Sequence, residues 1–411
     1  MKKTIFIIEV LVIIVGITFV ILKYGSKNGE DIKSVDLTSE IKANYNEFVK
    51  SNKEAKLYRL NKNEYEESGM VSKDIVLHLD EFTNNKYYKL KNMDYYINYL
   101  DVVISEKEEV DNRYQDYIVW NKNIKTKNPV KLYNQNNNLI FTLNEELDLP
   151  VIINEKDNYG VEYNNSLYFV KEISSINDNI NTDVETRNNI RTFTYHTVYD
   201  PKTQKCTSIE ICHPISQFEE QLEYLTENDY LTLTLKEVEM FLDKKIRIPL
   251  KTVALTLDDG IFLENSVPLV EKYKVYATFF IITSKVDVTE YLPLKYAKFE
   301  SHSDDLHNNY KCPKNRASSQ GGQMLCEKEE NIIADLKLSQ EKLGGSDYFA
   351  YPFFDFNDRA IAALKKADFK MAFIGQWDSQ GYSSYDTDRF MVRRKTIFGN
   401  LKLNGFIDYL K

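Results

Sequence analysis

The sequence predicts an α/β barrel in the C-terminal half of the chain, preceded by two small all-β domains and an N-terminal transmembrane helix. Two observations predict the barrel. Apolar runs at residues 253–257, 277–282, 349–353 and 371–374 predict strands, and they alternate with helical patterns at residues 327–343 and 358–367, as in β/α units. The residues with conspicuous chemistry directly follow these apolar runs, and barrel enzymes carry their active sites at that end of the strands.

The N-terminus predicts a membrane anchor over residues 1–28. Residues 4–22 are almost entirely apolar, with Glu9 as the only charge, and a helix of this length spans about 30 Å of hydrocarbon. Lys2 and Lys3 favour a cytoplasmic N-terminus. No small-residue cleavage pattern follows Leu22, so we expect an uncleaved, single-pass anchor in the cell membrane with the catalytic domain extracellular. A cleaved signal peptide is the alternative.

Two all-β domains are predicted at residues 36–120 and 126–178, where β-branched and alternating runs are separated by Asn-, Asp- and Lys-rich turns. The run AKLY at 55–58 recurs as VKLY at 130–133, and YINY at 96–99 corresponds to YFVK at 168–171. Both segments resemble bacterial SH3-like domains. That resemblance implies either binding of cell-wall peptide or a spacer role. Their tyrosines either stack on sugars or fill the core; these are Tyr58, Tyr87, Tyr88, Tyr133 and Tyr159.

A polar segment, residues 174–189, is predicted to be the linker to the barrel. The net charge of −9 argues against nucleic acid as a partner, because proteins that bind phosphate backbones carry a basic face. The four cysteines form two close pairs, Cys206 with Cys212 and Cys312 with Cys326. In an oxidising exterior these pairs indicate two local disulfides, with cross-pairing or free thiols as alternatives.

The candidate site begins where the apolar run 252–257 ends in Asp258, Asp259 and Gly260, and it continues with His302 and His307. Asp-Asp-Gly alone is typical of a turn, and histidines five residues apart would lie about 140° apart on a helix, so joint ligation requires a loop. Together, two imidazoles and a carboxylate suit a hydrolytic zinc-like ion. The second carboxylate, Asp258, is the candidate base.

Three runs carry a resemblance to a known family: TLDDG at 256–260, SHSDDLH at 301–307 and AYPFF at 350–354. They resemble the motifs of polysaccharide deacetylases of the NodB-homology type, which are carbohydrate esterases that remove acetyl groups from N-acetylated sugars. The resemblance covers residues 190–411. It implies an incomplete (β/α)7 barrel and a divalent metal on Asp259, His302 and His307. Zinc is our first expectation, with Co²⁺, Ni²⁺ or Mn²⁺ as alternatives.

The third run departs from the family pattern, with Ala350 in place of an arginine and Phe354 in place of a glycine. We expect Arg394 to replace that arginine beside Asp258; the alternative is that it lies on a basic surface strand. The last residues contain no histidine for the general acid. A branch of the family that acts on poly-N-acetylglucosamine carries this histidine early, in a Tyr-His pair, which His196 matches.

The resemblance implies that Asp258 takes a proton from water and that His196 protonates the departing amine. The backbone N–H of Phe353 is the expected oxyanion donor. Tyr351 and Trp377 are further candidates for contacts to substrate, and Trp377 would otherwise fill the barrel end.

The predicted function is N-deacetylation of a glycan polymer containing N-acetylglucosamine, with release of acetate. Peptidoglycan is the first expectation because of the SH3-like segments. Poly-N-acetylglucosamine exopolysaccharide is the alternative because of His196, and a catalytically inactive glycan-binding surface protein is a second alternative. A binding protein has no need of Asp258 beside Asp259, since adjacent carboxylates repel each other without a cation or a proton.

Overall fold

A computed structural model describes residues 47–83, 86–108, 112–178, 185–208, 211–313, 320–376 and 381–411. The predicted anchor, residues 1–28, lies outside this part of the chain. Among the described residues, no helix combines the length and apolar character needed to cross a membrane.

The N-terminal half of the described chain is all-β, as predicted. Its fourteen strands are β1 Phe48–Ser51, β2 Ala55–Asn61, β3 Glu64–Val71, β4 Val76–Thr83, β5 Tyr87–Leu90, β6 Tyr96–Asn98, β7 Val102–Ile104, β8 Lys122–Thr126, β9 Val130–Tyr133, β10 Leu139–Leu143, β11 Asp148–Ile153, β12 Tyr159–Tyr163, β13 Ser166–Val170 and β14 Ile173–Asp178.

The two predicted repeats share one β ladder. Strand β10 of the second repeat pairs antiparallel with β3 of the first, with Phe141 opposite Val71. A single buried cluster draws on both repeats, including Leu57 and Leu132 from the matching runs. The five tyrosines considered for sugar stacking are all partly exposed.

The linker prediction was wrong at its start. Residues 173–178 form β14, which pairs with β8 from Ile173 opposite Thr126 to Asp178 opposite Lys122. The strand lies at the edge of the sheet. Its side chains are mostly exposed, so it lacks the apolar signal by which a strand is recognised in sequence.

The C-terminal half forms a parallel barrel of seven strands, which agrees with the predicted α/β fold. In spatial order they are β19 Thr252–Leu257, β20 Ala277–Ile281, β21 Ala297–Ser301, β22 Tyr348–Ala350, β23 Met371–Gln376, β25 Val392–Thr396 and β15 Asn189–Tyr195. Strand β15 pairs with both β25 and β19 and so closes the ring. Every residue of β19 is buried, as expected for a parallel strand covered on both faces.

Shorter strands and helices complete this half. The strands are β16 Thr197–Tyr199, β17 Cys212–Pro214, β18 Leu231–Leu233 and β24 Tyr382–Ser384. The helices of the described residues are α1 Ile215–Glu227, α2 Leu235–Leu242, α3 Leu263–Tyr273, α4 Glu329–Lys342, α5 Asp358–Lys366 and α6 Leu403–Leu410.

Strand β22 ends earlier than the sequence predicts, because the predicted strand continued to Phe353. The strand stops at Ala350. Pro352 has no N–H to continue the ladder, and Phe353 and Phe354 both adopt φ of 57°. The chain therefore turns sharply at the carboxyl end of the barrel.

Candidate metal centre and active site

The three predicted ligands, Asp259, His302 and His307, lie together at the carboxyl end of the barrel strands. Their ligand atoms all lie within 4.8 Å of one another. Asp259 Oδ1 is 3.5 Å from His302 Nε2 and 3.3 Å from His307 Nε2. This oxygen is buried and has no hydrogen-bond partner among the described residues. A carboxylate oxygen left without a donor between two imidazoles fits a divalent cation such as zinc.

The turn after β19 places Asp259 in this position. Asp259 has φ of 75° and Gly260 has φ of 83°. Aspartate tolerates this left-handed region better than most residues, and glycine adopts it without steric cost. A Cβ atom on Gly260 would also lie 2.9 Å from Ile281 Cδ1. The Asp-Asp-Gly run is therefore both a turn and a source of ligands.

The two histidines are held in the state that binds metals. His302 follows β21, and its Nδ1 donates to the carbonyl of Ala350 at 2.8 Å, which leaves the Nε2 lone pair facing Asp259. Burial lowers the pKa of His302 to about 4, so its imidazole is neutral near pH 7. Burial also lowers the pKa of His307, with Asp259 opposing that shift.

A carboxylate that the sequence analysis missed holds the loop between the two histidines. Asp335, on α4, accepts hydrogen bonds from the backbone N–H groups of Asp304 at 2.8 Å and Asp305 at 2.7 Å. Leu306 N also donates to Ser303 Oγ at 3.2 Å. The five-residue spacing of the histidines thus forms a compact loop that brings both rings to Asp259.

Asp258 and Arg394 form a buried ion pair. Arg394 Nη1 and Nη2 donate to the two carboxylate oxygens at 2.7 and 2.8 Å, and both side chains are at most 1% exposed. Burial raises the pKa of Asp258, but the charge of Arg394, the hydrogen bonds it donates and two nearby histidines together lower the pKa by more, so it lies below its usual value. The structure places Arg394 where it was expected, and the surface-strand alternative does not hold for a fully buried side chain.

His196, the predicted acid, directly follows β15. The β15 end is tied to the site because Asp258 N donates to the carbonyl of Tyr195 at 3.0 Å. His196 Nδ1 is buried and has no hydrogen-bond partner in the described part of the chain. Its ring centroid lies 6.0 Å from that of Phe354, and its charge is among the influences that lower the pKa of Asp258.

The remaining predicted residues divide into three cases. The ring of Phe353 packs 4.3 Å from the ring of His307, so this residue does border the site. Tyr351 does not offer its side chain to substrate: it is fully buried, and its hydroxyl donates to the carbonyl of Phe390 at 3.2 Å. Trp377 lies outside the described residues.

Both close cysteine pairs are disulfide-bonded, Cys206 with Cys212 and Cys312 with Cys326. The first follows β16 and the second closes a loop that comes after His307. The structure thus has the two local bonds and not the cross-pairing.

Part of the barrel is similar to known proteins. Residues 245–372 match the family described as polysaccharide deacetylase. The poly-beta-1,6-N-acetyl-D-glucosamine N-deacetylase of Staphylococcus aureus is 33% identical over 179 residues, which cover 38% of this chain and 59% of that protein. The protein of the same name from Staphylococcus epidermidis is 28% identical over 199 residues, covering 43% of this chain and 65% of the relative. The matched region thus spans less than two thirds of either relative.

Solved structures that resemble this chain include IcaB from Ammonifex degensii, with a TM-score of 0.45 and 20% identity over 55% of this chain and 98% of that one. A polysaccharide deacetylase from Bacillus cereus has a TM-score of 0.44 and 16% identity, over 75% of this chain and 94% of the other.

Proposed function

We propose that the polysaccharide deacetylase domain of this chain is an active, metal-dependent N-deacetylase whose substrate is a poly-N-acetylglucosamine exopolysaccharide. The observation that carries the activity is the buried Asp258–Arg394 pair directly beside the Asp259, His302 and His307 triad. The names of the staphylococcal relatives support the exopolysaccharide over peptidoglycan, our first expectation from sequence. The position of His196 supports the same choice.

Each residue has a chemical task in this proposal. Asp259, His302 and His307 would hold the cation, which when bound supplies Lewis acidity toward the acetamide carbonyl and the attacking water. Asp258 accepts the proton of that water, and its pairing with Arg394 keeps the carboxylate ionised and oriented. The water oxygen adds to the carbonyl carbon.

The second half of the reaction breaks the carbon–nitrogen bond. The backbone N–H of Phe353 takes no part in the two hydrogen bonds of its own turn. In these bonds the N–H of Phe354 donates to the carbonyl of Tyr351, and the N–H of Asp355 donates to the carbonyl of Pro352. It is therefore a candidate donor to the developing oxyanion. His196 donates a proton to the departing nitrogen, so the products are acetate and a glucosamine unit.

An extracellular location is part of the proposal. Two disulfides within one domain favour an oxidising compartment. Such a location is compatible with the predicted anchor and with a polymer substrate that is too large to enter the cell. The role of the all-β half as a wall-binding module or as a spacer stays a prediction.

Acetate release by the purified full chain tests the function. Poly-β-1,6-N-acetylglucosamine and peptidoglycan are compared with zinc or cobalt present, and Asp258→Asn is the blank. We expect acetate from the exopolysaccharide alone. Release from peptidoglycan alone would overturn the proposed substrate assignment. No release from either polymer by metal-loaded protein would favour the glycan-binding alternative.

A further inference from the structure

Asp355 holds two separate segments of the chain together near the metal centre. Its side chain is almost fully buried. Oδ1 accepts from the backbone N–H of Gln320 at 2.6 Å, and Oδ2 accepts from that of Gly322 at 2.7 Å. Gln320 and Gly322 belong to the loop closed by Cys312 and Cys326, so this carboxylate ties the disulfide loop to the turn after β22.

That turn has a backbone that requires outside support. Phe353 and Phe354 both have φ of 57°, and each non-glycine residue in the left-handed region costs on the order of 1 kcal/mol. Such conformations persist only where neighbouring groups enforce them. Because two consecutive bulky residues adopt it here, the turn depends strongly on the groups packed against it.

Two glycines make room for the two rings. A Cβ atom on Gly322 would lie 2.9 Å from Phe353 Cδ2 and 3.1 Å from Asp355 Oδ2. A Cβ atom on Gly375 would lie 2.5 Å from Phe354 Cε1. Gly322 has no left-handed φ, so the close approach, rather than the backbone conformation, requires glycine there. The disulfide loop is thus pressed directly against Phe353.

The position of this turn matters because it borders groups on two sides of the site. The Phe353 ring packs against His307, and the Phe354 ring lies near His196 and 5.6 Å from the guanidinium carbon of Arg394. An oxyanion donor acts only when it lies about 2.7 to 3.1 Å from the developing charge. A small displacement of Phe353 would therefore reduce turnover.

We infer that Asp355 is a positioning residue for the deacetylation reaction: by fixing Gln320 and Gly322 against the turn, it sets the location of the Phe353 N–H. This inference rests on the proposed function. It predicts an effect on the transition state rather than on substrate binding, because the oxyanion forms only after attack.

The test compares two carboxylates that do the same structural work in different places. Glu271, on α3, also accepts two backbone N–H groups through Oε1, those of Tyr296 and Ala297, each at 2.7 Å. These donors lie at the start of β21, at the opposite end of the barrel from the metal centre. Glu271→Gln is therefore the control for removing a carboxylate charge from a pair of backbone donors far from the metal centre.

We expect Asp355→Asn to lower kcat by about ten- to a hundredfold, with KM within about twofold of the wild-type value and metal content unchanged. Glu271→Gln should leave kcat within about twofold. Gly322→Ala, which keeps the carboxylate but pushes a methyl group into Phe353, should also lower kcat. The inference is overturned if Asp355→Asn keeps full turnover, if it loses metal together with activity, or if Glu271→Gln lowers kcat equally.

Amide hydrogen exchange separates this inference from the proposed function. If the wild-type protein releases no acetate, the proposed function fails, but the positioning role still predicts faster exchange in Asp355→Asn at Gln320, at Gly322 and at Phe354, whose N–H donates to the carbonyl of Tyr351 within the turn. Glu271→Gln should leave these three amides protected. Unchanged exchange at Phe354 in Asp355→Asn would reject the positioning role whatever the activity.

Discussion

Removing the charge of Arg394 should strongly destabilise the barrel, and neutralising Asp258 in that variant should then cost much less stability than it does in the wild-type protein. Both side chains are buried, and they share two hydrogen bonds of 2.7 and 2.8 Å. Taking away one partner of a buried pair leaves a charge without compensation, which costs about 3 to 5 kcal/mol. We expect that range for Arg394→Met and a similar loss for Asp258→Asn.

The coupling between the two changes is the informative quantity. A charge separation of about 4 Å at an effective dielectric constant of about 20 gives roughly 4 kcal/mol. We therefore expect the double variant to be about 3 kcal/mol more stable than the sum of the single losses predicts. Denaturant unfolding of the four proteins, with metal removed by a chelator, measures this coupling.

Arg191 supplies the control for this cycle. It lies in the neighbouring strand β15 and is also buried, but it donates to the carbonyl of Tyr409. Arg191→Met should lower stability without coupling to Asp258→Asn. A coupling below about 1 kcal/mol for Arg394, which is typical of an exposed pair, would refute the reasoning that a buried pair orients the base.

Three further predictions concern the metal, pH and the disulfide loop. Chelation should abolish acetate release. It should also lower the unfolding free energy by about 3 kcal/mol, relative to protein in the presence of metal at about a hundredfold its Kd. His307→Ala should lose this stabilisation by metal, and equal stabilisation of that variant would contradict the ligand set. Burial lowers the pKa of His213 to about 4 from 6.5, so the unfolded chain binds more protons between these values and stability is lost as pH falls through that window. Between about pH 7 and pH 5, the unfolding free energy of His213→Gln should therefore fall by about 2 kcal/mol less than that of the wild-type protein. An equal pH dependence of the two unfolding free energies, measured with urea, would refute this. Replacing both Cys312 and Cys326 by serine removes a disulfide between residues of sequence separation 14 and should lower the unfolding free energy by about 3 kcal/mol. An unchanged thermal unfolding midpoint would contradict this estimate.

Much of the barrel could be predicted because its signals are local. Strand β19 is a continuous apolar run that ends in Asp-Asp-Gly, and the predicted helix at residues 358–367 corresponds to α5 within one residue. Apolar period and turn chemistry depend only on neighbouring residues. The errors occurred where local signals are weak or conflict. The polar edge strand β14 resembled a linker, and the aromatic run after Ala350 resembled a continuing strand.

The candidate site was predicted only in part for a related reason. The ligand motifs could be recognised because each is short and chemically distinctive. Asp335 and Asp355 have no such signal, since a lone carboxylate in sequence does not reveal which distant N–H groups it will accept. Tyr351 was misassigned because a motif position does not tell whether a side chain points to the cleft or to the core.

By itself, the sequence predicted the class of fold, the candidate ligand set and the candidate base and acid. Only the tertiary structure decided which groups support them. Arg394 meets Asp258 across 136 residues because closure of the barrel brings β25 against β15, which in turn pairs with β19. Likewise, Asp355 reaches the disulfide loop only after the chain has turned at Phe353 and Phe354. Contacts between distant segments depend on how strands assemble into a closed sheet, and no local pattern of residues encodes that assembly.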